Sequence, residues 1–313
     1  MSVRVLFSAP KSDWRDYEHV LASALVEAGV DARLEHSLEP NAPGTVDYIV
    51  YAPSSALTDF SPFTGAKAVL NLWAGVESVV ENPTLTQPLA RMVDPGLTEG
   101  MIEWCVGHVM RHHLDTDRDV RRADKAWAPY VPPLARNRSV TILGLGELGQ
   151  AVGQALATLN FRVAGWSRSE KSVPNMRCLS GPNGLDDALS AAEILVLLLP
   201  LTDATQNLMN TRRLAQLPKG AVLINPGRGP LIDDDALIAA LDEGQVKHAT
   251  LDVFREEPLP ESHPFWEHPS VTVTPHIASA TRPDSAAHVI AENIRRGEAG
   301  EPFLHLVDRA LGY

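Results

Sequence analysis

At 313 residues the chain has room for two domains of ~150 residues each, and its 44% hydrophobic and 21% charged content is that of a folded globular protein, which excludes a disordered chain, a coiled coil and a small disulfide scaffold. With 27 basic against 39 acidic residues the formal charge is −12 and the pI near 5.3, a field that repels nucleic acid and anionic membranes everywhere except at a locally basic pocket. Cys105 and Cys178 form no CxxC pair, which excludes a zinc ribbon and a dithiol redox centre and leaves two reduced thiols.

In chain order, Val3–Phe7 reads as a buried strand that meets Pro10 too soon for a signal sequence, and Trp14–Ala28 has helical spacing closed by Gly29. Tyr48–Tyr51 and Ala68–Leu72 are short apolar strands bounded by Pro, Gly and Ser, so this first part is a small α/β domain. A long helix is predicted over Thr98–Leu114 with Thr98 as N-cap. Asp115–Arg138, interrupted by Pro129, Pro132 and Pro133, reads as a connection and surface arm. Its charge run of His113, Asp115, Asp117, Arg118 and Asp119 reads as a solvated or dimer-contacting face, and Trp127 as a core or interface residue, with a role at a neighbouring subunit's site as the alternative.

From Ser139 the pattern is strand Val140–Leu143, glycine turn Gly144–Gly149, helix Ala151–Leu159 and strand Arg162–Trp166. Further strands at Ile194–Leu199, Ala221–Asn225, His248–Val253 and Val271–Val273 alternate with helices at Leu185–Ser190, Thr211–Gln216 and Asp234–Asp242, the signature of a doubly wound parallel sheet. Ile194–Leu199, the longest apolar run, is far below the ~18 residues of a membrane span. A cytoplasmic protein with no membrane or nucleic-acid partner is expected.

Gly144-Leu-Gly146-Glu147-Leu148-Gly149 follows a strand directly and opens a helix. That context suits a dinucleotide: Gly144 for the tight turn, Gly146 for close approach of a pyrophosphate, Gly149 for helix-to-strand packing, and the helix N-terminus for its charge. Ser167 lies eighteen residues past Gly149, near where an NAD enzyme carries an acidic ribose reader. Ser167, Arg168, Ser169 and Lys171 stand there instead, a set suited to a 2′-phosphate and so to NADP(H), with NAD(H) as the alternative. Three further segments end strands of the same sheet: Asn225-Pro-Gly-Arg228-Gly, Asp252-Val-Phe-Arg-Glu-Glu257-Pro and Thr274-Pro-His276-Ile-Ala. A carboxylate-bearing keto substrate needs a donor fork, which Arg228 has. Its reduction needs a proton donor titrating near neutrality, which is His276, with Glu257 to orient the ring. His108 and His112 have a spacing able to hold a metal, but with no HExxH glutamate and no third ligand no metal site is expected.

These residues resemble the D-isomer-specific 2-hydroxyacid dehydrogenases, in particular the glyoxylate/hydroxypyruvate reductase A type, from Ala74-Gly75-Val76 through the glycine turn and the NxxRG, DVFxxEPLP and TPHIA motifs to Val307–Tyr313. The resemblance implies a catalytic set of Arg228, Glu257 and His276, and a substrate set of Trp73, Ala74, Gly75, Val76, Arg228 and His276. It implies a cofactor-binding set completed by Pro200, Thr205, Pro226, Gly227 and Asp252, with Asp252 accepting from the nicotinamide carboxamide. It also implies a doubly wound Rossmann cofactor domain over 98–282 with a dimerisation arm about 115–138, and a discontinuous, flavodoxin-like substrate domain over 1–97 and 283–313. The expected activity is NADPH-dependent reduction of small 2-keto acids by a homodimer whose cleft closes over the cofactor. The alternatives are an NAD(P)-sensing corepressor-like protein and an NAD-dependent dehydrogenase of another substrate. Two departures from the family pattern stand out: the substrate loop begins with Trp73 and ends with Glu77 where Gly and Asp are usual, and Pro226-Gly227 replaces small apolar residues.

Overall fold

The computed structural model describes residues 2–36, 42–120 and 122–313. The chain divides into two compact units, Met1–Leu97 with Ala280–Tyr313, and Thr98–Ser279.

The smaller unit holds five strands, β1 (Val3–Ser8), β2 (Ala32–Glu35), β3 (Tyr48–Tyr51), β4 (Ala68–Asn71) and β5 (Leu89–Ala90), in the order β2-β1-β3-β4-β5 with every neighbouring pair parallel. This is the flavodoxin-like order. β3 and β4 are buried at every position, as unbroken apolar runs covered on both faces must be. Phe7, Val50 and Leu70 point to one face, where they meet Tyr17, Leu21 and Leu25 of the helix Lys11–Glu27 and Ile290 and Ile294 of the helix Pro283–Ala299. Leu6, Ile49 and Val69 point to the other, against Phe60, Phe63 and Leu85. The sequence pattern does not single out the helix Pro283–Ala299, because alanine (Ala286, Ala287, Ala291) supplies half of its buried stripe and few large apolar residues mark it.

The larger unit holds seven strands: β6 (Ser139–Leu143), β7 (Arg162–Ser167), β8 (Arg177–Ser180), β9 (Ile194–Leu197), β10 (Ala221–Asn225), β11 (Val246–Leu251) and β12 (Val271–Val273). They run in the order β12-β11-β10-β9-β6-β7-β8, all parallel, so the winding reverses between β6 and β9. The edge strands β2 and β8 escape the sequence pattern because they are only partly buried and carry no continuous apolar run.

The structure corrects the expected helix Thr98–Leu114, which starts at Pro95. Asp94 Oδ2 accepts from Leu97 N at 3.1 Å, so Asp94 caps the helix with Pro95 at the position that lacks a donor anyway, and Thr98 lies inside. His113 is also corrected: it is buried edge-on against Phe161 rather than solvated. In the expected arm, a single turn Asp117–Val120 and a 3-10 turn Ala135–Asn137 are the regular elements among the described residues. Trp127 is 97% exposed and Val131 87%, so the indole does not belong to this chain's core. Among the described residues no helix is long and apolar enough to cross a membrane.

Candidate active site

Parallel strands place their C-terminal ends on one edge of a sheet, and the predicted cofactor and catalytic residues follow those ends in turn: the glycine turn after β6, Ser167 at the end of β7, Arg228 after β10, Asp252 and Glu257 after β11, His276 after β12. Open α/β sheets bind ligands at this edge, where the winding reverses.

At Gly144 (φ +107°) a Cβ would lie 2.4 Å from the Leu198 carbonyl oxygen, and at Gly149 it would lie 1.8 Å from that of Gly144, so close backbone approach dictates both glycines. Gly146 is different: among the described residues nothing lies within 4 Å of where a Cβ would stand. The helix Glu147–Thr158 starts there, and among the described residues the N–H groups of Glu147, Leu148 and Gly149 have no acceptor. Open space, unsatisfied donors and a helix N-terminus together fit a dinucleotide's diphosphate. At the end of β7 the buried Ser167 hydroxyl donates to the Ser169 carbonyl at 2.7 Å, shaping the turn that leaves Arg168, Ser169 and Lys171 exposed. Thr205 Oγ1 donates to the Pro200 carbonyl at 2.7 Å and accepts from Thr202 N at 2.8 Å, closing the loop after β9.

Asn225, fully buried at the end of β10, ties the arginine turn: its Nδ2 donates to the Arg228 carbonyl at 2.9 Å and its Oδ1 accepts from Gly227 N at 3.1 Å. Pro226 and Gly227 are buried, a Cβ on Gly227 would stand 2.8 Å from the Leu197 carbonyl oxygen, and one on Gly229 would stand 2.1 Å from the Phe254 backbone. The Arg228 and Glu257 turns therefore pack backbone to backbone. Arg228 is half-buried, with Nη1 donating to the Gly227 carbonyl at 2.7 Å.

Asp252 organises the histidine turn. Its side chain, 0% exposed, accepts from Thr274 Oγ1 at 2.6 Å and Ile277 N at 2.9 Å through Oδ1, and from Ala278 N at 2.8 Å through Oδ2. Its carbonyl accepts from His276 N at 2.8 Å, and its own N–H donates to the Asn225 carbonyl at 3.0 Å. The carboxylate for which the resemblance implies a contact with the nicotinamide carboxamide thus also anchors this turn. His276 is thereby held at φ +53°, left-handed backbone that a non-glycine residue adopts only when its surroundings impose it. Its ring is half exposed, with Nδ1 2.7 Å from Glu257 Oε2, while Glu257 Oε1 accepts from Phe254 N at 2.8 Å. The carboxylate accepts from Nδ1–H, fixing the direction of the ring, and leaves Nε2 as the nitrogen not engaged by Glu257.

In the smaller unit, the predicted substrate loop leaves the end of β4. Trp73 is 47% exposed and joins neither core cluster of that unit. Trp73 and Gly75 turn their carbonyls onto Asn71 Nδ2, at 2.8 and 2.9 Å. Among the described residues the N–H groups of Ala74, Gly75 and Val76 have no acceptor. Sequence reasoning assigns no role to Asn71, Asn225 or Thr274. A polar residue closing an apolar strand was the available signal, and Asn71 and Asn225 both carry it.

His108 and His112 do not converge with other ligands. His112 Nε2 bonds Thr250 Oγ1 at 2.8 Å, its ring stands 4.9 Å from that of His248, and burial with these neighbours pushes its pKa down to about 3. Among the described residues no three His, Cys, Asp or Glu side chains are grouped to hold a metal. Burial, and then the charge of Asp252, push the Cys105 thiol up, keeping it protonated.

Residues 104–278 match the family model described as D-isomer specific 2-hydroxyacid dehydrogenase, NAD binding domain. A glyoxylate/hydroxypyruvate reductase A of Serratia proteamaculans (strain 568) is 40% identical over 255 residues, 79% of this chain and 82% of that relative. Among solved structures, a D-isomer specific 2-hydroxyacid dehydrogenase from Xanthobacter autotrophicus Py2 in complex with NADPH and MES superposes with a TM-score of 0.92 at 39% identity over 100% of both chains. An NADPH-dependent glyoxylate/hydroxypyruvate reductase from Sinorhizobium meliloti in complex with NADP and sulfate gives 0.86 at 32% identity, again over 100% of both. With its arginine, glutamate–histidine and glycine turns ranged along one sheet edge, the chain belongs to the D-isomer-specific 2-hydroxyacid dehydrogenase family.

Proposed function

We propose that the protein reduces small 2-keto acids, glyoxylate and hydroxypyruvate foremost, to 2-hydroxy acids using NADPH. The observation that carries this reading is the His276–Glu257 pair, 2.7 Å apart on a half-exposed imidazole that a buried aspartate holds in place. A proton donor so oriented, beside an arginine turn and a nucleotide-type glycine turn, suits carbonyl reduction. The bound cofactor supplies the hydride.

On this reading Gly144, Gly146, Glu147, Leu148 and Gly149 take the diphosphate, Arg168, Ser169 and Lys171 take the 2′-phosphate beside the turn that Ser167 shapes, and Pro200, Thr205, Pro226 and Gly227 line the remaining cofactor surface. Arg228 binds the substrate carboxylate with its guanidinium fork. The N–H groups of Ala74, Gly75 and Val76 donate to the carboxylate and carbonyl oxygens of the substrate, where preorganised donors stabilise growing negative charge. His276 then protonates the carbonyl oxygen from Nε2, and Glu257, bonded at Nδ1, holds the ring in the orientation that presents this proton. Trp73 narrows the site toward two- and three-carbon acids. The exposed Val120, Trp127, Tyr130, Val131 and Leu134 form an apolar stretch of the kind that marks an interface, which supports a homodimer built through residues 115–138.

The test is a panel of 2-keto acids assayed with NADPH and NADH by nicotinamide absorbance. Turnover of glyoxylate and hydroxypyruvate with a preference for NADPH is the expected result. Dinucleotide binding with no turnover of any 2-keto acid would overturn the proposal in favour of a cofactor-sensing protein.

A further inference from the structure

One buried side chain sorts the peptide groups of the Trp73–Val76 loop. Asn71 ends β4, is 1% exposed, and spends both Nδ2 hydrogens on the loop, at 2.8 Å to the Trp73 carbonyl and 2.9 Å to that of Gly75. Its Oδ1 is buried without a hydrogen-bond partner among the described residues. A buried, unpaired acceptor is unfavourable, and the opposite amide orientation would be worse, setting Oδ1 against two carbonyl oxygens. The Trp73 carbonyl has a second donor in Met92 N at 3.1 Å, whereas among the described residues the Gly75 carbonyl has Asn71 alone.

In a trans peptide unit the C=O and N–H bonds point in opposite directions. Drawing the Trp73 and Gly75 carbonyls inward therefore turns the N–H groups of Ala74 and Val76 away from Asn71. Those are two of the three consecutive amides with no acceptor among the described residues, and successive unpaired N–H groups make an anion-binding concavity.

We infer that Asn71 is a positioning residue for substrate binding, holding two carbonyls back so that the amides of Ala74 and Val76 face an anionic oxygen. This rests on the assignment of the loop to the substrate under the proposed function. Asn71→Leu removes both donors at similar volume. Asn71→Asp keeps the shape but sets a carboxylate against the two carbonyls.

In both variants KM for glyoxylate and the inhibition constant of oxalate should rise about tenfold, as expected for one lost hydrogen bond to a charged group, with KM for NADPH unchanged. A protonated carboxyl regains one donor, so the Asn71→Asp penalty relative to wild type should shrink as pH falls. In the wild-type protein oxalate should slow hydrogen exchange at Ala74 and Val76. A lowered Tm with glyoxylate KM and oxalate inhibition at wild-type values, a pH-independent penalty, or no exchange protection would overturn the inference. A wild-type protein that reduces no 2-keto acid would overturn the proposed function and this inference with it.

Discussion

Replacing Asp252 by Asn changes one atom in the anchor of the His276 turn. The retained Oδ1 can still accept from Thr274 Oγ1 and Ile277 N, but the new amide group stands where Oδ2 accepts from Ala278 N at 2.8 Å, so donor meets donor. Losing a hydrogen bond to a charged acceptor costs about 1.5–3 kcal/mol, and removing a buried charge offsets part of this, so a net loss of about 2 kcal/mol is expected. In a domain of this size that lowers Tm by about 4–8 °C. Because the turn presents the imidazole, kcat for glyoxylate should fall by ~10², the usual worth of a general acid. Thr274→Val removes the Oγ1 donor alone and should cost about 1 kcal/mol. Thermal unfolding by circular dichroism and steady-state kinetics on both variants provide the test. Wild-type Tm and kcat in Asp252→Asn would refute the argument that this carboxylate positions His276.

Gly146→Ala should leave Tm unchanged and weaken NADPH binding in a calorimetric titration, because its Cβ meets no protein atom; Gly149→Ala should lower Tm sharply, because its Cβ would stand 1.8 Å from a carbonyl oxygen. Arg168→Ala should raise KM for NADPH far more than KM for NADH, and equal effects would mean that Arg168 does not read the 2′-phosphate. His112 has a folded pKa of about 3 against 6.5 when unfolded, so the unfolded chain takes up the proton first as pH falls. Stability present above pH 6.5 is thus lost below it, by about 2 kcal/mol between pH 7 and pH 5. Unfolding of wild type and His112→Gln across that range should show a steeper pH dependence in wild type.

The parts of the fold legible from sequence are those where one residue type has one physical use. Gly144 and Gly149 are required by contacts with carbonyl oxygens, and the apolar runs of β3, β4, β9 and β10 can be buried only in the middle of a sheet. The residues that escape it act through partners distant in sequence. Asp252 reaches across to residues 274–278, a pairing that no spacing rule contains, and the chemistry of a lone aspartate after a strand serves a ligand equally well. Asp94 outranks Thr98 as a cap because Pro95 starts the helix, a choice that local propensity leaves open. The helix Pro283–Ala299 is hidden by its own small residues, which pack closely against the helix Lys11–Glu27 but barely register as apolar.

The central claim, that the His276 imidazole held by Glu257 and Asp252 is the proton donor of a 2-keto acid reductase, is tested most directly by kcat for NADPH-dependent glyoxylate reduction in His276→Gln. A fall of ~10² or more is expected with NADPH affinity and Tm retained, since glutamine keeps a polar group in the turn but cannot give up a proton near neutrality. Wild-type turnover in the folded variant would contradict it.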